Sequence, residues 1–408
     1  MTSVRVLRLA AGGDGVGKLV DGRTVFVPRT APGDLIELSA VRNHRRFARA
    51  RVGAVLEKGP DRIEPRCPHY TNDECGGCQL QHLALPAQQD ARRSFVGDAL
   101  RRLARLDVSD PGLEPATKAF EYRTKLTLAA DGTGRIGLRR YERPTEIFSL
   151  EHCHIAIPEL MALWRELRDA RGLLPAELTR IVLRQDRSAA LHLVVRAPSS
   201  ARWSGGGALR SELIRRGQPA TIWWHPEGGG PRIVAGDAAG ETYPATAFEQ
   251  VHPEMGDRAR AFALSQLGPV SGRKVWDLYA GVGDTTDSLV RGGAQVESVE
   301  LDRRAVAAAE SNGLPARRHA VRVEDVIESL GRPDLVITNP PRTGMDARVT
   351  AGIERMAPGR IVYVSCDPAT LARDLTRLPS YRFAAARAFD LFPQTAHVET
   401  VAVLDRAS

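Results

Sequence analysis

With 408 residues, 43% of them hydrophobic, the chain is long enough for two or three domains with cores of their own. No apolar run approaches a membrane span, and residues 1–15 have neither the apolar core nor the small-residue cleavage site of a signal peptide. A net charge of +8 points to a polyanionic partner such as RNA, and five cysteines, four in metal-like spacing, point to the reducing cytoplasm.

Residues 1–58 read as short strands with turn punctuation: Val4–Leu7 alternates, Gly12-Gly13-Asp14-Gly15 turns, and Thr24–Pro28 and Leu35–Leu38 are further strands. Five such strands in so little chain predict a small, OB-like β-barrel, a format that grips single-stranded nucleic acid. Five arginines surround Phe47 between Arg42 and Arg51, either an RNA-binding arm or a solvated loop. An amphipathic helix is predicted over 88–106, with Phe95, Val96, Leu100 and Leu103 on its apolar face, which could pack on the C-terminal domain. Residues 120–225 alternate as an antiparallel sheet. From about residue 255, strands alternate with helices, the signature of a parallel sheet. The chain is thus an α/β multidomain protein with boundaries at 1–58, 59–250 (an α+β central domain) and 251–408 (Rossmann-like), taken to act as a monomer.

In the last domain a strand carrying Asp277 runs through Tyr279 into Gly281-x-Gly283 and a helix. Glycines there let the backbone pass close to a ligand. The next strand ends in Glu300, 23 residues after Asp277, suited to accept ribose hydroxyls. Asp287 stands where a dinucleotide fingerprint has its third glycine, which favours a nucleoside cofactor without a pyrophosphate. Asp325 is placed to bind an adenine amino group, and Asn339-Pro340-Pro341-Arg342 closes the fourth strand. Arrangements of this kind recur in S-adenosylmethionine (SAM) methyltransferases.

Cys366 ends the apolar strand Arg360–Val364 in Ser365-Cys366-Asp367-Pro368-Ala369, the edge where chemistry occurs in open α/β sheets. It stands apart from the other cysteines and is a candidate nucleophile, set against the plainer role of a small core residue. Cys67, Cys75, Cys78 and Cys153 supply four thiolates, suited to zinc or an iron–sulfur cluster; three plus one suits a cubane better.

Taken together these residues resemble the TRAM-containing RNA (uracil-5-)-methyltransferase family, whose familiar members are bacterial 23S rRNA enzymes. The match spans nearly the whole chain. Residues 1–58 resemble a TRAM domain, Cys75-Gly76-Gly77-Cys78-Gln79-Leu80-Gln81-His82 its cluster signature, and Tyr122-Arg123-Thr124-Lys125 its central motif. Phe248-Glu249-Gln250-Val251 resembles the segment whose glutamine contacts SAM, Ser365–Asp374 the nucleophile motif, and Phe392–Val401 the segment supplying a general base.

The resemblance implies Cys366 as nucleophile and Glu399 as base. It implies a SAM site of Gln250, Asp277, Tyr279, Gly281, Gly283, Glu300, Asp325 and Asn339. It also implies a [4Fe–4S] cluster on the four upstream cysteines, and 23S rRNA as substrate with tRNA as the alternative. Three departures stand out: Asn339 where the family usually has aspartate, His252 in place of asparagine, and a first cysteine gap of seven residues, Pro68 to Glu74. Rival readings are a non-catalytic RNA-binding factor, an iron–sulfur oxidoreductase and a cytosine-5 methylase. The paired Cys366 and Glu399, the missing third glycine and Ser365 before the cysteine argue against them in turn.

Overall fold

A computed structural model describes residues 2–236 and 249–407, which form three sheets in succession. The first contains β1 (Ser3–Arg5), β2 (Arg8–Leu9), β3 (Gly15–Lys18), β4 (Thr24–Val27), β5 (Leu35–Asn43) and β6 (Phe47–Glu57) in the order β1-β5-β6-β4-β3-β2. Alternation places Val25, Val27, Ile36, Leu38, Ala48 and Ala50 in a small core. Hydrogen bonds from Val6 N–H to Asp34 O and from Leu7 N–H to Val16 O, both 2.8 Å, curl the sheet on itself. It has six strands rather than five, because Arg8–Leu9 pairs with β3. The arginine run 42–51 is the tip and return of the β5–β6 hairpin rather than a loop.

Next come α1 (Pro68–Thr71), α2 (Leu85–Arg102) and β7 (Gly112–Glu114). The predicted helix 88–106 is shifted toward the N-terminus. Pro86 suits the first turn, where no amide partner is required, and beyond Arg102 the chain breaks, with Arg105 at φ +57°.

The central sheet contains β8 (Lys125–Ala130), β9 (Ile136–Arg140), β10 (Arg143–Ser149), β11 (Arg180–Gln185), β12 (Leu191–Ala197), β13 (Thr221–Pro226) and β14 (Arg232–Ala235). Two helices, α3 (Pro158–Asp169) and α4 (Gly206–Arg215), cover one face, burying Trp164, Leu209 and Leu213 against Ile181, Leu193 and Ile222. The expected antiparallel pattern holds except for β12 and β13, which are parallel because α4 crosses between them.

The third sheet begins after α5 (Pro253–Gln266). It comprises β15 (Lys274–Leu278), α6 (Asp284–Arg291), β16 (Gln295–Val299), α7 (Arg303–Ser311), β17 (Arg317–His319), α8 (Val323–Val326), β18 (Leu335–Thr338), α9 (Ala347–Met356), β19 (Arg360–Ser365), α10 (Pro368–Leu375), β20 (Tyr381–Phe389) and β21 (Glu399–Arg406). The order is β17-β16-β15-β18-β19-β21-β20-β7, parallel except for β21. β18 is buried at every position, as a strand covered on both faces must be. The chain reverses direction across the sheet between β15 and β18, which opens a crevice at their C-terminal ends.

Residues 85–114, assigned to the central domain from sequence, belong with this third sheet. β7 extends its edge beside β20, and α2 packs Val96 and Leu100 on Ala388 and Val398. A fully buried pair, Arg92 with Asp390 at 2.8 Å, fastens the helix, and Arg92 also donates to Thr395 O at 2.8 Å. Among the described residues no helix is long and apolar enough to cross a membrane.

Candidate active site

Four parallel strands deliver their C-terminal residues to one edge. β15 leads into Tyr279, Gly281 and Gly283, β16 into Glu300, β18 into Asn339 and β19 into Cys366. The turn after β15 holds Tyr279 at φ +63°, a conformation that costs a non-glycine residue about 1–3 kcal/mol and persists where the surroundings impose it. Gly283 (φ +88°) lies so close to α7 that a Cβ would come within 2.9 Å of Ala309 Cβ. A Cβ on Gly281 would meet only open space above the sheet edge. Glu300 is fixed by two backbone donors, Gly281 N–H at 2.9 Å and Asp302 N–H at 2.8 Å.

Two of the sequence-predicted cofactor residues have side-chain partners within the protein. Asp277 is 3% exposed and accepts the Thr286 hydroxyl at 2.6 Å, so it braces α6 from beneath the glycine turn. Burial pushes its carboxyl up to about 6. Asp325, on the first turn of α8, is half exposed and paired with Arg348 at 3.2 Å. The Tyr279 phenol is raised by burial first and then by three nearby acids, Glu324, Asp374 and Asp346. Phe248 lies outside the described residues; Gln250 packs over Gly256 of α5, and Glu249 is held by Arg184 and by Arg187 (2.9 Å). His252 stacks on Tyr122 at 4.8 Å, and Tyr122 donates to Pro393 O at 3.0 Å, so the Tyr-Arg-Thr-Lys motif joins the central sheet to the Glu399 loop.

Cys366 follows β19, with Asp367 capping α10 by accepting Ala369 and Thr370 N–H, each at 2.9 Å. Glu399 opens β21, paired antiparallel to β19, and is 2% exposed with Oε2 unpartnered. Burial pushes its carboxyl up to about 8, against a pull downward from the Arg342 guanidinium. The Cys366 thiol is raised by burial and by Glu399, and lowered by Arg342, which lies within hydrogen-bonding reach of the sulfur. One cation thus serves two acids. Arg342 also approaches His397 Nε2 at 3.4 Å, and burial with Arg342 nearby holds that imidazole neutral, down to about 4.

Arg342, His397 and Asp374 were not singled out from sequence. Asp374 is wholly buried and accepts Met345 N–H at 2.7 Å and the Tyr363 hydroxyl at 2.8 Å. It pins the loop that presents Arg342. The available signal was Arg342's place directly after the strand-ending Asn339-Pro340-Pro341.

The four upstream cysteines converge. Cys67 and Cys78 share a cluster with Tyr70, Tyr122 and Ile155, and Cys153 packs against it. The long first gap is taken up by α1, which Cys67 caps, and Cys75 N–H donates to His69 O at 2.9 Å. Burial raises all four thiols, Cys75 to about 12, and charge on one would further raise its neighbours. The donor chemistry suits a thiolate-bound metal, but among the described residues no three His, Cys, Asp or Glu side chains form a ready ligand group.

Residues 313–407, the stretch carrying Asn339, Cys366 and Glu399, match the tRNA (uracil-5-)-methyltransferase family profile. The chain is 33% identical, over 99% of its length and 93% of the relative's, to a protein of Streptomyces coelicolor described as an uncharacterized RNA methyltransferase. It is 31% identical to the 23S rRNA (uracil(1939)-C(5))-methyltransferase RlmD of Halomonas elongata, covering 97% of this chain and 88% of that one. In fold it is similar to the tRNA (uracil-54, C5)-methyltransferase of Pyrococcus abyssi, solved with S-adenosyl-L-homocysteine: TM-score 0.74, 24% identity, 98% of this chain and 99% of that one. By these relatives the chain belongs to the class I, SAM-dependent RNA (uracil-5-)-methyltransferase family.

Proposed function

We propose that the protein methylates C5 of one uridine in 23S rRNA through a covalent adduct between Cys366 and C6 of the base. The observation that carries this reading is the convergence of Cys366, Arg342 and the buried Glu399 where β19 ends and the antiparallel β21 begins. Uracil C5 is too weak a nucleophile to act unaided. The Cys366 thiolate forms a bond to C6, moving an electron pair toward C5 and the O4 carbonyl. SAM, when bound, would supply an electrophilic methyl group: C5 bonds to it as the methyl–sulfonium bond breaks, and S-adenosylhomocysteine leaves as the neutral thioether. Glu399 then accepts the C5 proton, the ring double bond reforms, and the C6–S bond breaks to return the thiolate. For the cofactor, Glu300 is the acceptor for ribose hydroxyls, with the backbone of Gly281 and Gly283 alongside and Gln250, Tyr279 and Asn339 bordering the reacting groups. Asp277 supports that shelf from below, and Asp325 flanks it.

The 23S rRNA reading rests on the RlmD relatives, which match over nearly the whole chain; the family profile and the Pyrococcus structure, both described for tRNA, support tRNA as the second reading. Residues 1–58 act as the TRAM-type RNA-binding module. Cys67, Cys75, Cys78 and Cys153 are the thiols that would hold one [4Fe–4S] cluster, which would have a structural role beside Tyr70 and Tyr122. The deciding experiment incubates the protein with SAM and 5-fluorouridine-substituted 23S rRNA or tRNA. A denaturation-resistant adduct on rRNA that disappears in Cys366→Ala is the expected result. An adduct on tRNA alone would move the substrate, and no adduct on either would refute the covalent mechanism.

A further inference from the structure

Away from the catalytic edge, a cleft of about 540 Å3 opens at the end of the central sheet. Its floor is Trp224 on β13 and its wall Trp203 ahead of α4, with ring centroids 5.6 Å apart and planes tilted by 44°. Trp203 is anchored by its indole N–H to Leu173 O at 2.9 Å, leaving the ring as a rigid surface. Arg202 and Arg232 line the mouth, and among the described residues no acid lines the cleft. The opposite lip is the Gly228–Pro231 turn. A Cβ on Gly230 would fall 2.5 Å from the guanidinium of Arg304, which donates to Pro231 O at 3.0 Å. Arg304 stands on the first turn of α7, four residues after Glu300. The cleft therefore adjoins the cofactor shelf while sharing none of its residues.

We propose that this cleft is a second RNA-docking site that receives an unpaired nucleobase of the substrate, at a distance from the target uridine. Trp203, fixed and partly exposed, offers an apolar plane on which any base stacks, backed by Trp224 in the core, and the volume holds one base with its sugar. Exposed Arg232 meets a flanking phosphate, as does the side of the Arg202 guanidinium not bonded to Ser200 O, consistent with the chain's net charge of +8. An apolar peptide would leave these arginines unused. The inference builds on the reading of the substrate as RNA: the target base is presented at β19, and the cleft fixes where the rest of that RNA lies.

Hexaadenylate is the probe, since it stacks but contains no uridine for the catalytic centre. With the full-length protein it is expected to bind and quench indole fluorescence. Trp203→Ala weakens that binding by roughly 5- to 100-fold, raises the KM for 23S rRNA and leaves kcat and SAM affinity near wild type. Arg232→Glu, at an exposed position that tolerates change, weakens binding and flattens its salt dependence. Unchanged hexaadenylate affinity in a Trp203→Ala protein that still binds SAM overturns the proposal. If that variant fails to fold, unchanged affinity in Arg232→Glu overturns it equally. Quenching that needs Trp203 in a protein that methylates no RNA would support the cleft and refute the activity reading instead.

Discussion

Arg342→Met is the perturbation that most directly tests the proposed chemistry. The guanidinium lowers the proton affinity of two groups at once, the Cys366 thiol and the Glu399 carboxyl. A hydrogen bond to a charged group contributes about 1.5–3 kcal/mol, or roughly 1–2 pKa units. Arg342 is exposed, so solvent screening favours the lower end. Removing it raises both folded-state pKa values, so at fixed pH each group is less ionised. At neutral pH kcat/KM should fall about tenfold through the thiolate fraction alone, and further if carboxylate formation also limits the rate. The loss should shrink as pH rises, because base supplies what the cation no longer does. The assay is labelled methyl transfer to 23S rRNA from pH 6 to 10, with Arg342→Lys as the variant that keeps charge. A drop in Arg342→Met that is the same at every pH would refute the argument and make Arg342 a plain RNA contact.

Further outcomes follow from the same geometry. Glu399 prefers its proton when folded, since its carboxyl is raised from 4.5 to about 8; stability is therefore lost as pH rises through that window, by on the order of 4 kcal/mol. Glu399→Gln should accordingly melt higher than wild type at pH 8.5, with the gain vanishing near pH 5, while turnover stops; equal melting curves at both pH values would contradict the buried-acid reading. Arg92→Met should lower stability by about 3–5 kcal/mol, because Asp390 is left buried without its partner, and chemical denaturation would reveal it. Replacing the exposed Arg42, Arg45 and Arg46 together by serine should weaken RNA binding and flatten its salt slope by up to about three charges, with SAM binding intact. Anaerobically purified protein should carry about four irons per chain, a number that should collapse in Cys78→Ser. Stoichiometric zinc without visible absorbance would point to the other metal.

What sequence revealed and what it missed divides along physical lines. Signals that act locally were readable: Gly281 and Gly283 in their turn, Glu300 ending β16, Cys366 ending β19. Each depends on chain direction and on a conformation only a few residues adopt. Long-range partnership was not readable. Nothing local says that Asp277 will be claimed by Thr286, that Asp325 will turn to Arg348, or that Arg92 will find Asp390 across 298 positions of chain. The arginine hairpin shows the same limit. Its five cations read alike, yet Arg49 pairs with Asp14 and Arg51 with Glu142, leaving Arg42, Arg45 and Arg46 at the exposed tip for a partner.

The pairing of one cation with two acids also orders the steps. Two anions side by side in a buried site repel, so Cys366 and Glu399 titrate as a coupled pair in which Arg342 comfortably balances one charge. At neutral pH burial keeps Glu399, at about 8, protonated and raises the thiol as well, so the reactive thiolate forms transiently, beside a neutral carboxyl. Bond formation from sulfur to C6 moves the charge into the base, and methylation at C5 discharges it. Arg342 then has only Glu399 to balance, the carboxyl pKa falls, its proton leaves to solvent, and the base becomes competent only after the methyl is in place. Taking the C5 proton neutralises Glu399 again as the thiolate departs, which restores the starting distribution. A base that were ionised throughout would oppose the thiolate on which the first step depends. The burial of Glu399, costly to the fold, thus has a use in timing. Glu399→Asp, whose shorter reach and greater exposure to water should leave it ionised earlier, is expected to slow adduct formation as well as proton removal. If only proton removal slows in that variant, measured by trapping with 5-fluorouridine RNA against release of 5-tritium, the two acids are not coupled and this ordering fails.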